Sequence, residues 1–505
     1  MNTQKSNLRI NIILNFLYQF FLIVTPLITA PYVSRTLGPD GIGIYSYSNS
    51  LVTYFTIIAA VGTVSYGTRT IARSREDISE YSKKFWEIEL LTVITSFISL
   101  GCWLILAFCY KEYEIYLLIM SFQILSVCFD ISWLYAGLEK FKYTISVNFL
   151  TKLLGIVSIF LFVKTRNDLV VYVFIMVAVH FFGNISMWIF LPKTVKRAHI
   201  EKESLKHHFK ETLIYFIPSI ATVLYSVLDK SLIGILVKGY VNETNGNTTV
   251  TKRISNIENG YYEQATNIIT MIKTVCFVAI NGVVTSRASY LYKKHRENDV
   301  KELAKKTLGI TLFLSIGACF GLIAISDKFV PLFFGDGFEK TTTLLYVFAS
   351  IIPVICISSV LGSLYYTPIG KRKQSSIFVV AGMLFNLILS IPLILVMKSV
   401  GAAIASVVAE IVITILYFSK SNKFITLKWL LKTVYLKIIF GLTMCAAVYF
   451  LNHYLISVIS EVASLFISVL AGLLFYAGML LLVKDESVIN LIQNIKDHII
   501  KKNEK

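Results

Sequence analysis

Ser226-Val227-Leu228-Asp229-Lys230-Ser231-Leu232-Ile233-Gly234 lies inside an apolar run, Leu213 to Val237, that is otherwise suited to crossing a bilayer. A polar connection follows, Lys238 to Ile257, and a second run then opens with Asn259-Gly260-Tyr261-Tyr262-Glu263-Gln264-Ala265 and carries Lys273. A charged side chain at mid-bilayer costs roughly 2.5–3.5 kcal/mol even on lenient insertion scales. Asp229, Lys230, Glu263 and Lys273 are therefore expected to face protein or a water-filled cavity, not lipid.

The rest of the chain agrees with that setting. Its 505 residues are 55% hydrophobic and 15% charged, against about 25% charged in soluble domains. The fold class is an all-α polytopic membrane protein. Fourteen apolar runs reach spanning length, at about 20 residues each: 10–33, 42–64, 88–110, 114–136, 145–163, 169–190, 213–237, 258–282, 307–326, 341–361, 375–397, 400–418, 433–452 and 457–483.

The net charge of +18 is distributed by loop, which turns the reading away from nucleic acid and toward topology. With the N-terminus cytoplasmic, inside segments hold 34 of the 48 Lys and Arg, outside segments hold 10, and Lys152, Lys230, Lys273 and Lys437 fall in spans. That loop-by-loop bias is what the positive-inside rule produces, and it places both termini in the cytoplasm. The N-terminal run is too long for a cleavable signal core. The seven cysteines show no CxxC pairing and read as packing residues.

Lys193 to Lys210 is the longest strongly charged internal segment and follows six spans. It divides the chain into an N-terminal six-helix lobe (1–192), a basic linker (193–212), a C-terminal six-helix lobe (213–420), a two-helix hairpin (421–484) and a cytoplasmic tail (485–505). The halves resemble each other. Pro26 and Pro218 sit at similar depth, Gly41-Ile42-Gly43-Ile44-Tyr45 answers Asn259-Gly260-Tyr261-Tyr262, and each half exits into a basic stretch, at Arg69 and at Arg287. Such a pattern suggests a parallel repeat about the membrane normal. In the final hairpin, Lys437 stands near a helix end and is expected to snorkel.

Several other charges fall within or beside spans. Lys152 and Asp130 occupy the first half, Glu410 the short run 400–418, and Arg35 the outer end of the first run. Asp229 can meet Lys273 or Lys152, and Lys230 can meet Glu263. Such pairs can lock a bundle, or they can line a cavity that takes an anionic ligand or a coupling cation. No GxxxxGK[ST], HExxH, GxSxG or DxD motif occurs, so the residues offer no enzyme or metal signature.

Pro31-Tyr32-Val33-Ser34-Arg35-Thr36-Leu37-Gly38-Pro39, continued by Gly41-Ile42-Gly43-Ile44-Tyr45-Ser46, resembles the N-terminal signature of Wzx-type polysaccharide flippases, of the multidrug/oligosaccharidyl-lipid/polysaccharide exporter superfamily. Leu228 to Gly234 and Gly260 to Ala265 are similar to that family's seventh and eighth helices, and Asn386 to Pro392 with Gly401 to Ala405 to its eleventh and twelfth. The resemblance runs over residues 8–420. It implies a V-shaped, two-lobed alternating-access transporter in the bacterial cytoplasmic membrane. The implied cargo is an undecaprenyl-diphosphate-linked oligosaccharide for capsule, O-antigen or exopolysaccharide assembly. Coupling to a proton or sodium gradient, contact with membrane lipids, and partnership with a polymerase and a chain-length regulator are implied with it. No other cofactor is expected.

Lys152, Lys230, Lys273 and Arg35 are then the candidate cargo residues, because a diphosphate crossing hydrocarbon needs compensating positive charge. Asp229, Glu263, Asp130 and Glu410 are the candidate acidic cavity or coupling residues. The long insertion after Val237 departs from the family pattern. A drug or cation antiporter of the same superfamily is the main rival and should have twelve spans and a less basic cavity. A membrane glycosyltransferase or polymerase would want a large outside loop bearing carboxylates, whereas the longest outside loop here holds only Glu243.

Overall fold

Apolar helices dominate because bilayer hydrocarbon leaves backbone amides no water to bond, so each spanning segment must satisfy its own. The computed structural model describes residues 8–198, 200–245, 248–277 and 283–493. Among them, eleven helices are long and apolar enough to cross a membrane, or twelve when a bent pair is counted as one span. This is a multi-pass membrane protein. The chain forms two compact units, residues 1–260 and 261–505.

The first unit opens with α1 (Leu8–Ala60), which carries two of the sequence runs across a break at Gly38. There φ is +70°, a conformation that costs glycine little and other residues much. α2 (Thr63–Ser74) is the basic exit and α3 (Ile78–Cys109) follows. α4 (Glu114–Val127) and α5 (Ser132–Gly137) share the fourth run, and Asp130 stands in the gap between them. α6 (Phe141–Phe162) and α7 (Leu169–Met187) pack side by side, and α7 also packs on α4. α8 (Lys202–Leu236) completes the set of long helices. A core of Tyr66, Ile71, Phe85, Trp133, Tyr135 and Met187 joins α2, α3, α5 and α7, with Phe85 stacked on Trp133 at 5.4 Å.

The expected linker is part of this unit. Tyr81 donates to Thr194 O at 2.7 Å, Trp86 Nε1 to Lys196 O at 3.0 Å, and Lys196 N to Ser82 Oγ at 3.0 Å. Lys83 pairs with Glu201 at 2.6 Å. With its leader fixed on α3, α8 packs against α1, α2 and α3, and the break between units falls at Gly260, well beyond residues 193–212.

The insertion after Val237 is a β-hairpin. β1 (Tyr240–Asn245) pairs antiparallel with β2 (Thr248–Arg253), from Tyr240 opposite Arg253 to Asn245 opposite Thr248. Only Gly246-Asn247 separates the strands in sequence, a dipeptide that favours two-residue hairpin connections. The hairpin is tied to the unit through Arg253, which pairs with Glu112 at 2.7 Å and lies 6.0 Å from the Tyr113 ring centroid. α9 (Ile254–Phe277) follows at once. Its first turns cross α1 so closely that a Cβ on Gly43 would lie 1.6 Å from Asn256 O, and one on Gly260 would lie 2.0 Å from Pro39 O. The run 258–282 is helical through Phe277, and residues 278–282 lie outside the described residues.

The second unit repeats the order. α10 (Val283–Lys293) is its basic exit and α11 (Glu297–Phe334) its long helix. α12 (Glu339–Ala349) and α13 (Ile351–Leu361) form the span bent by 40°. α14 (Arg372–Met397) and α15 (Ser399–Ser419) form a hairpin like α6 and α7, and α15 packs on α12 and α13 as α7 packs on α4.

The final hairpin, α16 (Leu427–Ile456) and α17 (Glu461–Leu482), packs on α11. Phe313 stacks on Tyr476 with centroids 5.3 Å apart and rings 1° from parallel. Lys437 does not snorkel. It is fully buried, its Nζ lies 2.7 Å from Asp485 Oδ2, and it also donates to Thr433 O at 3.0 Å. The chain just after α17 folds back far enough to supply the counter-charge.

Candidate functional site

The stretch around Asp229 faces α1. Ser231 Oγ lies 2.9 Å from Ser50 Oγ and accepts from Tyr54 Oη at 2.9 Å, while the Asp229 charge acts on Tyr54. Asp229 is 5% exposed and Lys230 half-buried, and neither is without a partner. Helical geometry turns them about 100° apart, so adjacent charges serve different surroundings. The insertion-cost argument is met, since the carboxylate is enclosed by protein.

A second polar set of the first unit involves α3, α5, α6 and α7. Asp130 caps the start of α5, with its Oδ1 accepting from Ser132 N at 3.0 Å. Its charge acts on His180 of α7, which also feels Lys152 of α6. Asp130 and Lys152 therefore both lie within electrostatic reach of His180. The same carboxylate acts on Glu89 of α3, a residue that sequence reasoning passed over. Glu87, also missed, is enclosed by α2 and α8. Ser204 donates to its Oε2 at 2.7 Å, and His208 Nε2 lies 3.0 Å from the same oxygen. His208 Nδ1 lies 2.7 Å from Tyr66 Oη. The missed signal was two glutamates at i and i+2, one just before and one just inside the run read as 88–110.

Arg35 is exposed at the rim of an open pocket of about 650 Å³. Lys164 and Arg166 line the same pocket, and Tyr32, which donates to Val163 O at 2.6 Å, anchors its wall. Three basic side chains around one concavity suit a multiply charged anion, which Arg can meet in bidentate fashion. Only Arg35 of the three was singled out from sequence.

In the second unit, Glu410 on α15 is 7% exposed and its charge acts on Lys273 of α9. One turn earlier on α15, Ser406 Oγ lies 3.4 Å from Tyr262 Oη. Glu263, the neighbour of Tyr262, is half-buried and engaged. The candidate residues therefore fall into two groups, each internal to its own unit: Arg35, Asp130, Lys152, Asp229 and Lys230 in the first, Glu263, Lys273 and Glu410 in the second.

The sequence profile of the polysaccharide biosynthesis protein family matches residues 8–285, more than half of the chain and nearly all of the first unit. The chain belongs to that family.

Relatives in this polysaccharide biosynthesis family include the "Putative O-antigen transporter" of Escherichia coli (strain K12), 27% identical over 444 residues, covering 84% of this chain and 99% of that one. The "Probable low-salt glycan biosynthesis flippase Agl15" of Haloferax volcanii is 25% identical over 288 residues, 55% of each chain. Among solved structures, the lipid II flippase MurJ in its inward closed conformation superposes with a TM-score of 0.63 at 17% identity, over 90% of this chain and 97% of that one. An inward-facing multidrug resistance MATE transporter of the MOP superfamily superposes with a TM-score of 0.59 at 13% identity, over 84% and 94%. At these identities the structures establish a shared fold and nothing about cargo. The resemblance to Wzx-type flippases stands on the family and its relatives.

Proposed function

We propose that this protein is a flippase that moves undecaprenyl-diphosphate-linked oligosaccharide units from the inner to the outer leaflet of the bacterial cytoplasmic membrane, for O-antigen, capsule or exopolysaccharide assembly. The observation that carries the reading is the placement of positive charge in a chain of this family. Lys152, Lys230 and Lys273 each lie in the body of a long helix, and Arg35, Lys164 and Arg166 share one pocket. A diphosphate is stabilised by such groups where water is scarce, whereas an exported organic cation is repelled by them.

Alternating access driven by a proton or sodium gradient supplies the direction, with Asp229, Glu263, Asp130 and Glu410 as the acidic groups available for coupling. Both termini are cytoplasmic on the charge pattern, which sets the hairpin and the Arg35 pocket at the outer face. A polymerase and a chain-length regulator are the natural recipients of the delivered unit. The fold is shared with multidrug transporters, so a small-cation antiporter is the second reading.

The test is translocation of a labelled undecaprenyl-diphosphate oligosaccharide in proteoliposomes, comparing wild type with Lys230→Ala and Lys273→Ala. Loss of movement in folded variants supports the reading. Export of small cations with no movement of the lipid would transfer the assignment to the antiporter.

A further inference from the structure

Two carboxyls stand two residues apart on α3, and their surroundings differ. Glu87 has Ser204 and His208 as hydrogen-bond partners. Glu89 is 3% exposed, and neither of its carboxyl oxygens has a hydrogen-bond partner among the described residues. Removing an ionised carboxylate from water without a donor to replace hydration costs far more than a missing neutral hydrogen bond. Glu89 therefore sits in this conformation as the neutral acid.

The elements around it explain why no donor arrives. About two to three turns further along α3, α1 meets it through backbone acceptors, with Thr95 donating to Ala59 O at 2.6 Å and Ser99 to Phe55 O at 2.7 Å. From α2 and α8 come Tyr66 and His208, which are committed to each other and to Glu87. From the end of α4 come Cys128 and Asp130, the second close enough for its charge to act on Glu89. Asp130 is half-buried and its Oδ1 accepts from Ser132 N at 3.0 Å, so unlike Glu89 it keeps a donor and contact with water.

We propose that Glu89 is the residue at which this flippase binds and releases its coupling proton, with Asp130 as the carboxylate through which that proton leaves. In the release step the O–H bond of the Glu89 acid breaks and a new O–H bond forms on Asp130, directly or through one water. The negative charge passes to Glu89 as the proton passes to Asp130, and Asp130 then yields the proton to the aqueous phase. No electrons are transferred. The state in which Glu89 becomes the anion is one in which water or a donor reaches it, a different conformation from the one described here. Coupling a proton to the cycle requires only that difference in environment between states.

The proposal rests on the reading of the chain as a gradient-driven flippase, and its experiment separates the two. In proteoliposomes holding the full chain and labelled undecaprenyl-diphosphate oligosaccharide, an imposed pH gradient should speed cargo movement by wild type and by Glu89→Asp. Glu89→Gln, which imitates the neutral acid and so should fold, is expected to move cargo at the gradient-free rate whatever gradient is applied. Infrared spectroscopy of the same reconstituted proteins, without cargo, should show a carboxylic acid carbonyl band that Glu89→Gln lacks. A full gradient response in Glu89→Gln, or no band lost on that substitution, would overturn the proposal. A wild type that shows the band but moves no lipid-linked oligosaccharide would sink the cargo reading and leave Glu89 as a proton site.

Discussion

Replacing Asp485 by Asn keeps the shape of that side chain and takes away the only carboxylate bonded to Lys437 among the described residues. Lys437 is fully buried, so its ammonium would keep just the Thr433 carbonyl at 3.0 Å. Breaking a buried pair so that a charge is left behind costs about 3–5 kcal/mol. The opposite change, Lys437→Met, should cost less. Asp485 is 12% exposed and its Oδ1 accepts from Ser487 N at 2.9 Å, so an orphaned carboxylate there keeps a donor and some water. A penalty of about 1–3 kcal/mol is expected from the unmade hydrogen bond. The double variant removes both charges and should recover most of the loss, because a buried pair is often replaceable by apolar groups. Thermal unfolding of the purified protein in detergent measures all three. Equal penalties for the two single variants, or a double variant no better than the sum of the singles, would refute the claim that Lys437 is buried and paired.

Three further outcomes test other contacts. Gly43→Ala puts a methyl group 1.6 Å from Asn256 O, so α1 and α9 must separate at their crossing. A loss of about 1–3 kcal/mol or more is expected in the melting of the purified protein, and unchanged melting would contradict the crossing. His208→Ala leaves Glu87 buried with Ser204 as its remaining donor, which should cost about 1–3 kcal/mol and raise amide exchange in residues 200–212. Thr251→Cys on the exposed hairpin should be labelled in intact cells by a membrane-impermeant maleimide, and labelling only after permeabilisation would invert the proposed topology.

The positions of the helices were legible because spanning segments announce themselves by length and composition alone. Each of the fourteen apolar runs falls on helix within the described residues, and the two basic exits at Arg69 and Arg287 became α2 and α10. The arrangement of the charges was less legible because it depends on neighbours distant in sequence. Glu87 and Glu89 were passed over because their burial depends on α8 and the end of α4, which are distant in sequence. Lys437 looked able to reach water, and the fold-back at Asp485 removed that route. The pairing of Glu410 with the field of Lys273 could not be read from residues so far apart in the chain. The β-hairpin had a local signal in Gly246-Asn247, and the polarity of its surroundings concealed it.

The docking of α8 on the first unit bears on how the chain is made. Translation delivers α1 to α8 and the hairpin before any of residues 261–505, and the partners of Ser231, His208 and Arg253 are all already synthesised by then. The nascent chain can therefore complete one stable body while the second is still in the ribosome, in the N-terminal-first order usual for multidomain chains. Two separately translated fragments divided after Gly260 should each insert, with α8 assembling in the amino-terminal piece. The seam of biogenesis then lies at the entrance to α9, one helix later than the sixfold helix count would set it.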